Sequence, residues 1–431
     1  MFWNEKIETM DRAGMEALQL ERLKWSVKHA YENVPLYKKK LDEAGIAPCD
    51  IKSLKDLSRL PFTVKDDFRD NYPDGLFAVP RKEVVRVHAS SGTTGKPTVV
   101  GYTRNDLKTW AELVSRIITA SDVTSEDTAQ ISFGYGLFTG ALGLHYGLEN
   151  IGAMVIPMSS GNTDKQLMLM EDLGTTVLIA TPSYAMYMSE LVRERGLRDR
   201  LKLRVGLLGS EGCTEEMRKR IEENFGIMVT DNYGLSEVIG PGVSGECTFR
   251  NGLHIAEDHF IAEIIDPETG EVLPEGETGE LVITSLTKEA LPVLRYRTRD
   301  ITRITYKPCE CGRTAARMEK IKGRSDDMLI VKGVNVFPSQ IESVLVGMNH
   351  IGPHYLLTVR SEGFMDTLEV SVELTDGNIL ERFSELERVR NNIHDRLQSV
   401  LGLDAKVTLV APKTIERFQG KAKRVIDLRN R

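Results

Sequence analysis

The chain has 431 residues, a formal net charge of −7, and 41% hydrophobic and 28% charged residues. This is the make-up of a soluble globular protein too long for one ordinary core, so two or more domains are expected. The acidic balance gives no reason to expect nucleic acid or an anionic membrane as partner, and no apolar run approaches the ~18 residues of a spanning helix. The first residues, MFWNEKIETMDR, carry early charge and no apolar signal core, and five cysteines in so long a chain make no disulfide framework. A cytoplasmic protein is expected.

Residues 16–34 place Leu20, Leu23, Val27, Tyr31 and Val34 at helical spacing before Pro35, which predicts a helix packed by one face. Residues 51–85 mix apolar anchors (Leu54, Leu57, Leu60, Phe62) with proline and charge, as connecting structure does. Next comes VHASSGTTGKPT, residues 87–98, where Ser90, Ser91, Gly92, Thr93, Thr94, Gly95 and Lys96 follow one another. Glycine lets backbone N–H groups turn toward a ligand with no Cβ in the way, and the hydroxyls and lysine add donors, so the loop suits a polyphosphate. It is not a Walker A loop: the Gly92 to Gly95 spacing is too short and Pro97 follows the lysine. An ordinary Ser/Thr/Gly turn between strands is the alternative.

From about residue 150 to 235, GAMVIPM, TTVLIATPS, RVGLLGSE and IMVTDNYG are short apolar runs ending in small or polar residues. Helical stretches at 184–194 and 214–225 lie between them, the second opened by Thr214 as N-cap with Glu215 and Glu216 at the positive helix start. The alternation predicts a buried parallel sheet covered by helices, with ligands at the carboxyl ends of the strands. Gly209, Ser210, Glu211, Asp231, Asn232, Tyr233, Gly234, Ser236 and Glu237 fall there. After residue 260, FIAEIIDPETGEVLPEGETGELVITSL predicts antiparallel strands joined by DPETG and PEGETG turns. Beyond Gly323 the pattern predicts a helix at 338–346, a strand at 355–359, an alternating strand TLEVSVEL, a charged amphipathic helix at 379–400 and a final strand AKVTLV. The predicted class is α/β, with a large N-terminal domain over 1–325 and a small α+β C-terminal domain over 326–431, divided near GRSDD.

Four more segments matter. YGLSE (233–237) sets an aromatic face, a glycine bend and a carboxylate just after a strand. RYRTRD (295–300) sets an acceptor-only aspartate among three arginines. KGRSDDMLIVKG (322–333) crosses the domain boundary, and FQGKAKR (418–424) presents a lysine after a glycine. Each alone has an ordinary structural reading; their order and separations carry the information. With all five motifs present, the chain resembles the acyl-adenylate-forming superfamily of acyl-CoA synthetases, luciferases and peptide-synthetase adenylation domains. Within it the chain resembles the phenylacetate–CoA ligases, whose features are also recognisable in LPFTVKDDFRDNYPDGLFAVP (60–80), FGYGLFTGALGLHYGLE (133–149) and TPSY (181–184). The resemblance spans roughly residues 15–428.

It implies parallel sheets and a β section in the large domain and a small, mobile C-terminal domain. It also implies ATP-dependent, AMP-forming joining of phenylacetate or a related arylacetate, such as indoleacetate, to coenzyme A through an acyl adenylate. By match to the family's motifs, residues Ser90 to Lys96 would hold the β- and γ-phosphates, and Glu237 would bind Mg²⁺. The hydroxyl of Ser236 or Thr94 would orient phosphates. Tyr233 would stack on adenine in a pocket lined by Gly209, Ser210, Glu211, Asp231, Asn232 and Gly234. Asp300 would accept both ribose hydroxyls, the use an ionised carboxylate suits, and Arg324 would assist at ribose or phosphate. Lys421 matches the catalytic lysine that bridges the carboxylate oxygen and the α-phosphate, with Lys423 the competitor. Asp326 falls at the family hinge, and Gly333, Val334 and Asn335 would face the site when coenzyme A enters. The acyl pocket is expected from Tyr135, Gly136, Phe138 and Ala141, with Ser210, Ile239 and Pro241 nearby; His145 is as readily a core histidine as a site residue. The competing readings are an enzyme loading an aryl acid onto a carrier-protein thiol and a non-catalytic nucleotide-binding module.

Cys309 and Cys311 form CxC in a turn, and Cys247 and His254 follow YGLSE. Together they would make a tetrahedral Cys₃His zinc site, and the resemblance points the same way; unpaired reduced cysteines are the alternative. Apolar anchors in the first eighty or so residues suit a homodimer contact.

Overall fold

The computed structural model describes residues 1–90, 97–325, 329–331, 334–362, 365–417 and 424–429. The chain divides into two compact units. The first holds Met1–Ala180, Leu201–Ser210 and Thr230–Ile321; the second holds Thr181–Arg200, Glu211–Val229 and Lys322–Arg431. Among the described residues no helix is long and apolar enough to cross a membrane.

In the first unit, the predicted N-terminal helix spans Arg12–Asn33, stopped by Pro35, with Leu23, Val27 and Ala30 fully buried. Strands β1 (Arg86–Ala89) and β2 (Val99–Tyr102) form an antiparallel hairpin. There follow β3 (Thr128–Ile131), β4 (Met154–Ile156), β5 (Val177–Ala180), β6 (Val205–Gly209), β7 (Met228–Leu235), β8 (Gly240–Glu246) and β9 (Leu253–Ile255). Strands β10 (Phe260–Ile265), β11 (Gly279–Ser285), β12 (Tyr296–Thr302), β13 (Ile304–Thr305) and β14 (Arg317–Met318) complete the unit. Nine of these make one sheet in the order β13-β14-β9-β8-β7-β6-β5-β3-β4. Strand β3 pairs in parallel with β4 and β5, and β5 with β6, while β7/β8 and β8/β9 are antiparallel. The continuous apolar runs VLIA and VGLLG are buried along their whole length, as strands covered on both faces are. Strands β10, β11 and β12 form the antiparallel β section.

One local reading in this unit needs correcting, and one strand was not anticipated. YGLSE does not follow a strand, because β7 runs through Tyr233 and Gly234 to Leu235. The next segment, GPGVSGE, is a fully buried strand although its glycines and proline argue against one. The reason is the helix Arg104–Ala120: a Cβ on Gly240 would meet the Trp110 ring at 2.6 Å, and one on Gly245 would meet Ile117 at 2.6 Å. The glycines let a helix lie directly on β8.

The same region holds a buried lysine. Lys288 Nζ stands 3.2 Å from the Tyr102 ring centroid and has no hydrogen-bond partner among the described residues. Burial pulls its pKa down from 10.5 to about 7, with Asp106 opposing. Between those values the unfolded chain binds more protons than the folded one, so this residue's contribution to stability rises with pH across that window. Lys288→Met is expected to raise the melting temperature at pH 7, and the gain should shrink toward pH 10. A difference that stays constant over that range would refute the assignment.

The second unit contains helices Pro182–Glu194 and Glu215–Phe225, tied by Asn224 Nδ2 donating to Ser189 Oγ at 3.0 Å. Thr214 is the N-cap of the latter, accepting from Met217 N–H. The remaining strands are β15 (Gly323–Arg324), β16 (Leu329–Val331), β17 (Val334–Val336), β18 (Ile351–Glu362), β19 (Met365–Leu374), β20 (Lys406–Val410) and β21 (Val425–Asp427). A four-stranded sheet runs β20-β19-β18-β21, and helices Pro338–Leu345 and Phe383–Leu401 accompany it. In TLEVSVEL the alternate residues Leu368, Val370, Val372 and Leu374 are buried, the half-buried pattern of period two. The amphipathic helix starts at Phe383, with a 3₁₀ turn over Gly377–Glu381 before it. AKVTLV is not the last strand: the shorter β21 pairs in parallel with β18.

Candidate active site

In the chain, the hydroxyl-rich segment lies between β1 and β2, which pair as a hairpin. Arg86 faces Tyr102 and Ala89 faces Val99; beyond them Ser90 N–H donates to Thr98 O at 3.0 Å. Ser91 to Lys96 lie outside the described residues. The hairpin is fastened to the FGYGLFTG segment, since Ala89 N–H donates to Leu137 O at 2.8 Å and His88 Nδ1 lies 3.0 Å from the same oxygen. Strand β1 and the expected acyl segment are therefore joined.

Gly209 ends β6 where no side chain fits, because a Cβ would stand 2.6 Å from Asn232 O. Asn232 Nδ2 donates to Leu208 O at 2.6 Å, and Asp231 N–H donates to Glu246 Oε2 at 2.8 Å. Ser210 adopts φ 73°. Gly234 answers to a close backbone approach, since a Cβ there would fall 1.9 Å from Gly240 O. Beyond β7, Ser236 Oγ meets Thr139 Oγ1 at 3.0 Å, and the Glu237 side chain is buried.

Tyr233 Oη donates to Asp300 Oδ2 at 2.6 Å, a pair 67 residues apart in sequence. The three arginines of RYRTRD are engaged elsewhere. Arg295 makes a two-pronged pair with Glu263 (3.0 and 3.1 Å), and Arg297 another with Glu280 (3.0 and 2.7 Å). Arg299 reaches Glu280 at 3.4 Å. The arginines thus tie β12 to β10 and β11 and hold the strand that carries Asp300.

In the FGYG segment, Gly136 takes φ 124°, Phe138 is 49% exposed and Ala141 is fully buried in the helix Thr139–Ile151. A Cβ on Gly140 would stand 3.8 Å from Ser210 Oγ, so this helix start and the end of β6 converge. Tyr135 Oη lies 3.0 Å from His145 Nδ1, and His145 Nε2 lies 3.1 Å from Glu149 Oε1. Burial, reinforced by Glu149, pushes the Tyr135 hydroxyl's pKa up, so it stays protonated. The sequence signal for this chain was the i, i+4 spacing of His145 and Glu149; its link to Tyr135 is tertiary. Sequence reasoning also missed the backing layer. Tyr102 and Trp110 stack at 5.0 Å, Tyr102 Oη donates to Ile239 O at 2.8 Å, and Trp110 Nε1 donates to Pro241 O at 2.7 Å.

In the second unit, Glu211 Oε1 accepts from Ser183 N–H at 2.6 Å, in the first turn of helix Pro182–Glu194. Arg324 lies in β15 and the backbone of Val334 and Asn335 in β17, where Asn335 faces Ile330 across the pair. Asp326, Gly333, Lys421 and Lys423 lie outside the described residues.

The four metal-ligand candidates meet in the first unit. The donor atoms of Cys247, His254, Cys309 and Cys311 all lie within 4.8 Å of one another. Cys247 Sγ stands 3.8 Å from Cys309 Sγ, and Cys311 Sγ 3.4 Å from His254 Nε2. Zn–S bonds of ~2.3 Å and Zn–N bonds of ~2.0 Å in a tetrahedron give edges of roughly 3.5–3.8 Å, so this donor set fits zinc. The cluster lies beside the sheet edge where His254 of β9 faces Arg317 of β14, and Ala120 packs against Cys247 and Cys309.

A family model described as "AMP-binding enzyme" matches residues 27–287, and one described as "AMP-binding enzyme C-terminal domain" matches residues 333–429. A phenylacetate-coenzyme A ligase of Thermus thermophilus is 49% identical, covering 100% of both chains. One from Escherichia coli is 49% identical over 100% of this chain and 99% of its own. The crystal structure of a 2-hydroxyisobutyryl-CoA ligase in the postadenylation state, in complex with R3-HIB-AMP, superimposes with a TM-score of 0.93 at 30% identity, covering 99% of this chain and 92% of that one. The chain belongs to the AMP-binding enzymes, in the branch that holds the phenylacetate-coenzyme A ligases.

Proposed function

We propose that this protein is an ATP-dependent, AMP-forming ligase that converts phenylacetate, or a related arylacetate, to its coenzyme A thioester. The observation that carries the proposal is identity near one half with phenylacetate-coenzyme A ligases along the whole chain. A carboxylate does not react with a thiol, because it has no adequate leaving group. In the first half-reaction the carboxylate oxygen attacks the α-phosphorus and the bond to pyrophosphate breaks. In the second, the thiolate of coenzyme A attacks the acyl carbon and AMP leaves. Residues 1–325 would form the adenylate-forming domain and 326–431 a mobile domain hinged at Asp326, with Gly333, Val334 and Asn335 serving the second step.

Residues 90–96 would cradle the β- and γ-phosphates, with the hydroxyl of Ser236 beside them, and Tyr233 would stack on adenine over the Gly209–Glu211 turn. Arg324 would reach the ribose or a phosphate. Tyr135, Gly136, Phe138 and Ala141 would form the acyl pocket around a flat ring. Glu237 offers a buried carboxylate oxygen, the hard donor Mg²⁺ takes; bound Mg²⁺ would neutralise triphosphate charge. Cys247, His254, Cys309 and Cys311 would hold a structural zinc ion away from the chemistry.

Asp300, already an acceptor from Tyr233, would take the ribose hydroxyls. Asp300→Ala is expected to raise KM for ATP by on the order of tenfold to a hundredfold, the worth of one charged hydrogen bond. Tyr233→Phe keeps the ring and should cost less, as initial-rate kinetics will show. The whole proposal is tested with a panel of carboxylic acids scored for AMP release with coenzyme A present. Arylacetates should lead; pyrophosphate release without thioester would point instead to a carrier-protein thiol.

A further inference from the structure

Within the first unit, residues 1–10 are tied to the turn that carries Cys309 and Cys311, and one buried ion pair fastens them. Glu8, in the one-turn helix Glu5–Glu8, accepts from Arg313 Nε at 2.6 Å, with side chains 6% and 4% exposed. Its other oxygen, Oε1, accepts from the N–H groups of Trp3 and Asn4 at 2.8 and 2.7 Å. Arg313 Nη2 donates to Met1 O at 2.6 Å, and the guanidinium lies 4.8 Å from the Phe2 ring centroid. Thr314 adds two bonds, N–H to Glu8 O at 3.1 Å and Oγ1 to Met10 O at 2.6 Å. A Cβ on Gly312 would stand 3.3 Å from the tip of the Phe2 ring, so that ring lies close against the turn. A cavity of about 40 Å³ is lined by Ile7 and Glu8 on one side and by His254, Glu257, Asp258 and Arg313 on the other. His254 Nε2 stands 3.4 Å from Cys311 Sγ, while His254 Nδ1 is buried with no hydrogen-bond partner among the described residues.

A histidine that gives Nε2 to a metal carries its proton on Nδ1, and that N–H needs an acceptor. Water fits the need: it takes roughly 10–15 Å³ and two or more polar partners, which His254 and the carboxylates of Glu257 and Asp258 offer in this cavity. Ile7 and Glu8 form part of the wall, so the space stays enclosed only while residues 1–10 are in place. We propose that residues 1–10 are a strap that seals the Cys247, His254, Cys309 and Cys311 cluster. It encloses water that serves His254, and it slows both departure of the ion and approach of thiol reagents. For the ion this rests on reading the cluster as a zinc site; for the thiols it rests on the strap contacts alone. Strap and ion are then coupled, and whatever the ion adds to the hold on the strap, the strap adds to the hold on the ion.

The test follows transfer of zinc from the full chain to a chromogenic chelator, well below the melting temperature of each variant. Glu8→Gln, Arg313→Gln and Phe2→Ala should release the ion about tenfold faster or more, the scale of losing an outer partner of a metal ligand, with one ion per chain still bound at the start. Glu8→Gln with Arg313→Gln should release no faster than either alone, because both act through one contact. Lys40→Gln breaks a pair with Asp67 (2.6 Å) in the same unit but outside the strap, and should leave release unchanged. Hydrogen exchange supplies the reciprocal reading: removing zinc from the unsubstituted chain should speed exchange at the Trp3, Asn4 and Thr314 amides. Release at the original rate in folded Glu8→Gln and Arg313→Gln proteins overturns the inference, as does exchange at those amides that ignores zinc. If the purified chain binds no zinc, the metal reading fails instead, and the strap is judged by iodoacetamide labelling of Cys309 and Cys311. Faster labelling in the three variants supports it, and equal labelling overturns it.

Discussion

Lys421→Ala is expected to slow adenylation by on the order of a hundredfold or more while leaving thioester formation from supplied acyl adenylate intact. When the carboxylate attacks the α-phosphorus, two anionic groups, the carboxylate and the α-phosphate, are forced together. A fixed ammonium between them is worth most at that moment and in a site that excludes water, where single donors contribute factors of roughly 10²–10³. The second step develops its charge on the acyl carbonyl and expels AMP, so the same amine has no equivalent part there. Pyrophosphate exchange into ATP measures the first step, and thioester formation from synthetic adenylate measures the second. A comparable loss in Lys423→Ala would transfer the assignment to that residue. Equal losses in both steps for Lys421→Ala would end it.

The second large effect concerns the Cys₃His cluster. Protein purified without chelator is expected to hold one zinc ion per chain. Removing it, or making Cys309→Ser or Cys311→Ser, should lower the melting temperature steeply. Structural zinc sites are worth on the order of 10 kcal/mol, comparable with the whole net stability of a domain, ~5–15 kcal/mol. His254 Nδ1 and the neighbouring sulfurs lie largely buried, so an empty site would leave polar groups and thiols packed together without compensation. Damage should start at the edge formed by β9, β13 and β14. Cys49→Ser is the control, because Cys49 is exposed and outside the cluster. Elemental analysis that finds no stoichiometric zinc, with four of the five thiols freely titratable in folded protein, would dismiss the site.

Both predictions begin in sequence, and so did much of the architecture. The apolar runs of β5 and β6 and the strict alternation in β19 are periodic signals, and periodicity survives without tertiary information. The motifs survive too, because a loop of glycines and hydroxyls or a glycine–lysine pair is contiguous. Strand β8 was not legible: its glycines are depleted in strands on average and are required here by a helix lying against them. Strand β21 was missed because three residues carry too short a pattern to register.

What the chain determined by itself was its family, its class of fold and which residue types bear the chemistry. Only the folded molecule decided that the RYRTRD arginines serve Glu263 and Glu280 while Asp300 meets Tyr233, that His145 leans on Tyr135, and that four metal-ligand candidates spread over 65 positions, from Cys247 to Cys311, converge within 4.8 Å. The reason is physical: local spacing fixes which way a side chain points along its own helix or strand, whereas partners from distant segments are chosen by how those elements pack and by which buried charges must find one another.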